Sequence, residues 1–381
     1  MAATNARLAK GHSKPRAVSR GKTRILALEE RAMAHTDVLD TAPPMHRSRS
    51  MAPVRIWLLA VATLVGVMVS VGGATRLTGS GLSITEWKPI MGAIPPLSEA
   101  DWREAFEKYK QIPQYVQINR GMSLDAFKTI FWWEWGHRFL ARLVGVAFFV
   151  PFLAFLALGY IRRAHVPRML GLFALGGLQG AIGWYMVASG LSERVSVSQY
   201  RLALHLGLAF VILAGLVWTA LSLDDDPEAK SAPRGAHWTG AAVVVALAFV
   251  QVELGALVAG MKAGLAYNTW PLMDGQVIPG GLFIMQPWYL NLFENAMTVQ
   301  FSHRLAAYLL AALTAWHVWR VTKSEPQASA LALAAAVALQ VALGIWTLLA
   351  QVPLSLGLVH QAGAVILFAI AIWHLHGQRR A

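Results

Sequence analysis

Four histidines, His137, His205, His303 and His360, stand in runs that are otherwise apolar, and they are the residues best placed to do chemistry. Ionisable groups inside a bilayer segment are costly and by default mark a working site. Neutral imidazole is a good iron ligand, and two imidazoles facing each other across a four-helix bundle suit the axial positions of a haem. A single intramembrane histidine is more often a hydrogen-bonded packing residue; four at matched positions point to ligation. The stretch FWWEWGHRFLARLVG, from Phe131, sets Glu134 and Arg138 beside His137. Glu134 precedes His137 by three residues and so shares its helix face. Gln300 holds the same place before His303. One pocket then has an ionisable carboxyl and the other a neutral amide, which marks the first as the reacting one. Pairing of Glu134 with Arg138 at a membrane interface is the plainer alternative. Arg138, Arg304 and Arg201, the last one turn before His205, are candidate partners for haem propionates, because guanidinium binds carboxylate in bidentate fashion.

His317 and His374 each lie 14 residues beyond a candidate ligand, about 21 Å further along the helix axis. Such spacing would allow a second haem stacked in the same bundle, as in quinol-oxidising b-type cytochromes. Pro151 and Thr219 stand at the corresponding places of the first half. Trp319, Arg320 and His376 adjoin the pair, so snorkelling to an interface is the expectation for it. His165, His237, His12, His35 and His46 are expected to be solvated. The chain has no cysteine, which excludes disulfides, thiolate metal sites and iron–sulfur clusters.

The frame that positions these residues follows from composition. Of 381 residues, 56% are hydrophobic and 14% charged, the balance of a polytopic membrane protein with all-α spans. The net charge of +13 gathers in the first 53 residues and in short loops, where it sets membrane orientation; no nucleic-acid partner is expected. Apolar runs long enough to cross a bilayer occur near Val54–Gly73, Phe127–Tyr160, Pro167–Val187, Tyr200–Leu221, Trp238–Val258, Asn295–Val318, Ala328–Leu349 and Leu356–His376. The basic clusters Arg162/Arg163/Arg168, Lys230/Arg234, Arg320/Lys323 and Arg379/Arg380 share a side with the basic tail. Eight spans with both termini cytoplasmic follow, with the loop 76–126 outside. Even-numbered spans then run inward, and the four histidines share a depth toward the outer face. LSEADWREAFEKYKQ in the outer loop reads as a capped amphipathic helix starting at Ser98. Glu29, Glu30, Asp37 and Asp40 interrupt the acid-poor pattern of a mitochondrial transit peptide. A disordered cytoplasmic tail and a bacterial inner membrane are therefore expected in preference to the mitochondrial inner membrane.

The chain also repeats itself in order. GLSITEWKPIMG resembles GLAYNTWPLMDG, EWGHRFLARLVG resembles QFSHRLAAYLLA, LQGAIGWYM resembles LQVALGIWT, and LHLGLAFVILA resembles VHQAGAVILFA. Two pseudo-symmetric four-helix bundles follow. The expected organisation is a tail at 1–53, a first bundle at 54–221, a cytoplasmic linker at 222–237 and a second bundle at 238–381.

From about residue 55 to its end, the chain resembles the haem A synthase family of bacterial and mitochondrial cytochrome oxidase assembly. The marks are GGATRLTGSGLSITEWKPI from Gly72, PPLSEADWREAFEKYKQIPQY from Pro95, FWWEWGHR and the four repeated histidines. The outer-loop cysteine pair of some bacterial members is missing, so the resemblance is to the proteobacterial and mitochondrial type. It implies an oxidoreductase that turns the C8 methyl of haem O into a formyl group by two successive hydroxylations, the geminal diol then losing water. It also implies that His137 and His205 flank the substrate haem O, that His303 and His360 ligate a retained haem b, and that Glu134 is the catalytic carboxylate. Expected partners are haem O, membrane lipid, the haem O synthase that supplies substrate, and an electron donor of unspecified identity; homo-oligomerisation is left open. The rival classes are a quinol-linked cytochrome b and a haem carrier that turns nothing over.

Overall fold

Hydrocarbon offers the backbone no water, so a spanning segment must satisfy its amides internally as helix. In the computed structural model the described residues are 50–225, 235–324 and 326–379, and they contain eight long helices and no named strand. These are α1 (Ala52–Leu77), α2 (Leu124–Ala157), α3 (Val166–Ser192) and α4 (Gln199–Leu221). The second set is α5 (Trp238–Met261), α6 (Ala296–Ser324), α7 (Ala328–Leu349) and α8 (Leu354–Gly377). The expected tail, and most of the linker between the halves, lie outside the described residues.

Local sequence explains the starts. Proline occupies the first turn of α1 and of α3, where its missing N–H costs nothing. Ser123 caps α2 by accepting from the Ala126 amide at 3.2 Å. Seven of the eight are long and apolar enough to cross a membrane. The other, α6, has 29 residues but dilutes its apolar character with Arg304, Arg320 and Lys323. The chain is an all-helical, multi-pass membrane protein.

Packing follows the repeat. α1 lies on α2 and α4, α3 on α4, and α2 on α3; in the second half α5 lies on α6 and α8, α7 on α8, and α6 on α7. The two rings join through α4–α5, α8–α1 and α4–α8. One pairing differs in extent: α2 packs on α3 less extensively than α6 packs on α7.

The largest buried cluster occupies one end of the bundle, the end where α1 begins and α8 finishes. It runs through Val54, Leu58, Val61, Phe148, Met169, Phe210, Leu216, Val244, Leu333 and Phe368. Ion pairs tie this terminal end: Arg55 to Asp224 at 2.5 Å and Arg379 to Asp225 at 3.0 Å. The opposite, loop end is covered by the segment between α1 and α2. Its helix Glu99–Tyr109 starts at Ser98 as the sequence predicts, with a capping box closed by Asp101. Phe106, Tyr109, Phe127 and Phe131 form a second buried cluster beneath it. The four histidines belong to neither cluster and lie between them.

Candidate functional site

Each histidine of the repeat rests against a glycine of the helix before it. A Cβ on Gly72 would lie 3.0 Å from Nε2 of His137. A Cβ on Gly183, Gly255 or Gly344 would lie 2.9, 3.2 or 3.0 Å from Cε1 of His205, His303 or His360. Only a residue without a side chain lets an imidazole approach the neighbouring helix this closely. The odd helices therefore supply shelves and the even helices supply rings. His137 stands within electrostatic reach of His205, and His303 of His360. The structure brings the four predicted ligands together as two pairs, one in each half.

A second feature escaped the sequence reading. One turn before its glycine, each of three odd helices carries a glutamine that grips the histidine. Gln179 Nε2 donates to the His205 carbonyl at 2.9 Å, Gln251 Nε2 to that of His303 at 3.1 Å, and Gln340 Nε2 to that of His360 at 2.8 Å. The same amide nitrogens lie 3.1 to 3.5 Å from ring nitrogens of those histidines. Before Gly72 the matching residue is Met68, which cannot make these bonds. The signal was present as Q-x-x-x-G in α3, α5 and α7, visible only once the odd spans are aligned on their glycines.

These donor sets fit a bis-histidine haem. The Oε1 atoms of Gln179, Gln251 and Gln340 and the Nδ1 of His205 are buried with no partner among the described residues. A ring nitrogen bound to iron leaves the other as an N–H, and buried polar atoms without a partner beside the rings are ones that a bound group would satisfy.

Glu134 is 2% exposed. Its Oε2 accepts from Ser83 Oγ at 2.7 Å and from the Ile84 amide at 2.8 Å, while Oε1 accepts from Arg138 at 2.6 Å. Both readings made of it thus touch the structure: it is paired with Arg138, and it does so in a buried position one turn from His137. What the sequence did not reveal is that this carboxylate latches the GLSITEW segment onto α2. In the second half Gln300 is also buried, but its Oε1 has no partner among the described residues.

The arginines belong to the same latch. Arg138 donates to the carbonyls of Ile84 and Glu86 at 2.9 and 3.1 Å, and Arg304 to that of Tyr267 at 2.9 Å. Tyr267 matches Ile84 in the repeated loop motif, so each His-Arg pair holds one histidine ring and one loop. Arg201 instead stacks on the Tyr185 ring at 3.8 Å and donates to the Tyr185 carbonyl at 2.7 Å.

His317 and His374 depart from the expectation of snorkelling. They are 2% and 0% exposed, and their Nε2 atoms meet at 2.9 Å. His374 Nδ1 pairs with Ser329 Oγ at 3.0 Å. Two long polar rings satisfy each other in the interior, which removes the reason to reach for water. Rings in direct hydrogen-bond contact leave no gap for a porphyrin plane, which argues against a stacked second haem. His237, expected to be solvated, lies with its ring centroid 6.5 Å from that of His317 and belongs to this cluster. Glu253 was missed altogether. It is a carboxylate inside α5 set against Gly207 of α4, where a Cβ would lie within its Oε1 contact radius, and a lone Glu in VQVELG was the available signal.

Comparison with known proteins agrees with this layout. The cytochrome oxidase assembly protein family matches residues 55–372. The chain is 56% identical over 320 residues to the heme A synthase of Parvibaculum lavamentivorans, covering 84% of this chain and 92% of that protein. It is 56% identical to that of Bradyrhizobium diazoefficiens, covering 84% and 89%. With that of Azorhizobium caulinodans identity is 55%, covering 87% and 96%. The chain belongs to the cytochrome oxidase assembly protein family.

Proposed function

We propose that this protein is a haem A synthase, an oxidoreductase that converts the C8 methyl of haem O to a formyl group by two hydroxylations followed by loss of water from the diol. The observation that carries this reading is the pair of histidine sites built on one plan but finished differently: Glu134 and its latched loop adjoin only the first. Haem O is the substrate at His137 and His205. Haem b is the resident cofactor at His303 and His360, where it supplies one-electron redox chemistry when bound. The protein itself contributes four things. The glycine shelves let the rings reach inward. The glutamines hold three of those histidines through their backbone carbonyls and lie beside their rings. The Arg138–Glu134–Ser83 latch closes the loop end and limits water at the first site. Glu134 is the carboxylate nearest His137 along α2, and its Oε atoms are where a proton could be held or passed during oxidation. Arg138, Arg201 and Arg304, at the loop end, are the proposed neighbours of the propionates.

The same reading places both termini in the cytoplasm of a bacterial cell, eight spans in two pseudo-equivalent bundles, and the haem O synthase and an electron donor as partners. Its test is direct. Purified protein supplied with haem O, reductant and oxygen should accumulate hydroxylated haem O and then haem A, resolved by pigment extraction and mass analysis. A protein that binds haem O and returns it unchanged would instead be a carrier.

A further inference from the structure

Arg76 stands in the last turn of α1, four residues beyond the glycine that shelves His137. Residues four apart lie over one another on a helix, so Arg76 shares the face of Gly72 and sits about 6 Å nearer the loop end. Thr75 Oγ1 donates to the Trp133 carbonyl at 3.3 Å, which sets this turn of α1 beside the turn of α2 that carries Glu134. The hydroxyls around Arg76 are engaged: Thr75 with the Val71 carbonyl at 2.9 Å, Thr78 with that of Ala74 at 2.8 Å, and Ser83 with Glu134 at 2.7 Å. The Arg76 guanidinium is partly buried, yet it makes no hydrogen bond or ion pair with a described residue.

A guanidinium keeps its charge in a protein, and a charge in an apolar span needs an anion beside it. The acid of this layer is already taken, since Glu134 gives its two oxygens to Ser83, Ile84 and Arg138. The other loop-end arginines spend donors on the protein itself. Arg138 holds Glu134, Ile84 and Glu86, Arg201 holds the Tyr185 carbonyl, and Arg304 that of Tyr267. Of the four, Arg76 is the one with its whole fork uncommitted. The second half has no such cation: aligning GLSITEWKPIMG with GLAYNTWPLMDG puts Ala259 at Arg76.

We propose that Arg76 binds a propionate carboxylate of haem O directly, as the specificity-determining cation of the first site. This rests on the reading of the first half as the haem O site. Guanidinium and carboxylate form a bidentate, charge-assisted pair that fixes orientation as well as affinity. The C8 methyl shares its pyrrole ring with one propionate. A grip on that propionate, in the layer of Glu134, therefore also fixes the edge of the macrocycle that is to be oxidised. The pair of histidines sets the plane of the ring, and Arg76 sets its rotation within that plane.

The experiment uses the full-length protein in detergent, with the His303/His360 haem b absorbance as the control for folding. Haem O and its dimethyl ester, in which both propionates are blocked, are titrated separately into wild type, Arg76→Leu and Arg76→Lys. Wild type should prefer the free acid. In Arg76→Leu that preference should fall by about tenfold or more, because haem O binds more weakly while the ester binds as before. Arg76→Lys keeps the charge without the fork and should retain only part of the preference. An unaltered preference in Arg76→Leu overturns the proposal. Equal weakening of acid and ester does so too, because it would make Arg76 a packing residue of the loop end. If Arg76→Leu loses its resident haem, Arg76→Lys decides, and a preference equal to that of wild type overturns the assignment. If wild type neither binds nor converts haem O, the functional reading itself fails; if it converts haem O and the preference survives the substitutions, only the assignment of Arg76 does.

Discussion

The first four helices and the second four share a ring of pairings, a set of glycine shelves and an arginine-held loop, yet they differ at three levels along one axis. At the loop end the first half has Glu134 latched to Ser83 and Ile84, where the second has Gln300 with an unpartnered oxygen. At the histidine level Met68 stands at the position where the other three odd helices carry glutamines bonded to the histidine carbonyls. At the terminal end the second half has the buried contacts of His374 with Ser329 and His317, where the repeat puts Thr219, Arg168 and Pro151 in the first. The differences do not all run one way: the Glu134 latch fixes the loop end of the first half, while the missing glutamine at Met68 and the less extensive α2–α3 packing leave its histidine level looser. A site that must admit and release a large substrate needs such looseness; a site that retains a cofactor is better served by closed packing and fixed ligands.

Replacing His303 or His360 by Ala should break the contrast most severely. Retention of the resident haem should fall by more than about 100-fold, beyond what loss of an outer partner costs. His137→Ala and His317→Ala should leave its absorbance in place. Loss of a second haem signal on changing His317 would revive the stacked cytochrome reading. Next in size is Glu134→Gln, which gives the first half the residue of the second. Turnover should drop about 100-fold or more, with the resident haem spectrum intact and haem O or its hydroxylated form accumulating. Ser83→Ala decides how Glu134 acts. If the carboxylate serves as a latch, removing one of its donors should reproduce part of the defect, about tenfold; if it serves the chemistry alone, Ser83→Ala should be nearly silent. Normal haem A production by Glu134→Gln would reduce it to a partner of Arg138.

Smaller effects follow from the glutamines. Gln251→Leu or Gln340→Leu should weaken retention of the resident haem by about tenfold and shift its reduction potential, as expected for an outer partner of a ligand. Met68→Gln should go the other way at the first site, slowing haem O release in a stopped-flow chase. No change on Met68→Gln would mean that His137 is held by something other than the shelf at Gly72.

The four histidines, the duplication and the capped loop helix were legible because each leaves a trace in one dimension: a costly residue in an apolar run, a repeated word, a Ser-x-x-Asp. The partners of Glu134 were not, because Ser83 and Ile84 reach it from a loop some fifty residues upstream. The burial of His317 and His374 was missed for a related reason. Their neighbours in sequence, Trp319 and Arg320, face outward, while the partner that makes burial affordable is the other histidine, on a different helix. The glutamine clamps lay between these cases, visible as Q-x-x-x-G but meaningless until the glycines were seen to carry rings.

The smallest expected effect concerns the loops that cover the two halves. Glu86 lies in the first loop between Lys88 and Lys108, at 3.0 and 2.9 Å, and the second loop has Thr269 at the matching position. Lys108 first and Lys88 second hold the Glu86 carboxyl below its usual value of 4.5. A depressed carboxylate stabilises the fold where it is ionised in both states, above that usual value, and the contribution fades as pH falls through the lowered one. The group is largely exposed, so solvent screening keeps the pair to at most about 1 kcal/mol. Glu86→Thr should therefore leave turnover within about twofold at neutral pH and raise proteolytic nicking of the 78–123 loop only slightly. That increase should shrink below pH 4.5, where the wild-type carboxylate loses its charge, and at high salt. A large loss of activity at neutral pH would show that the first loop is positioned by Glu86 as well as by Glu134, and that the latch extends along the whole GLSITEW segment.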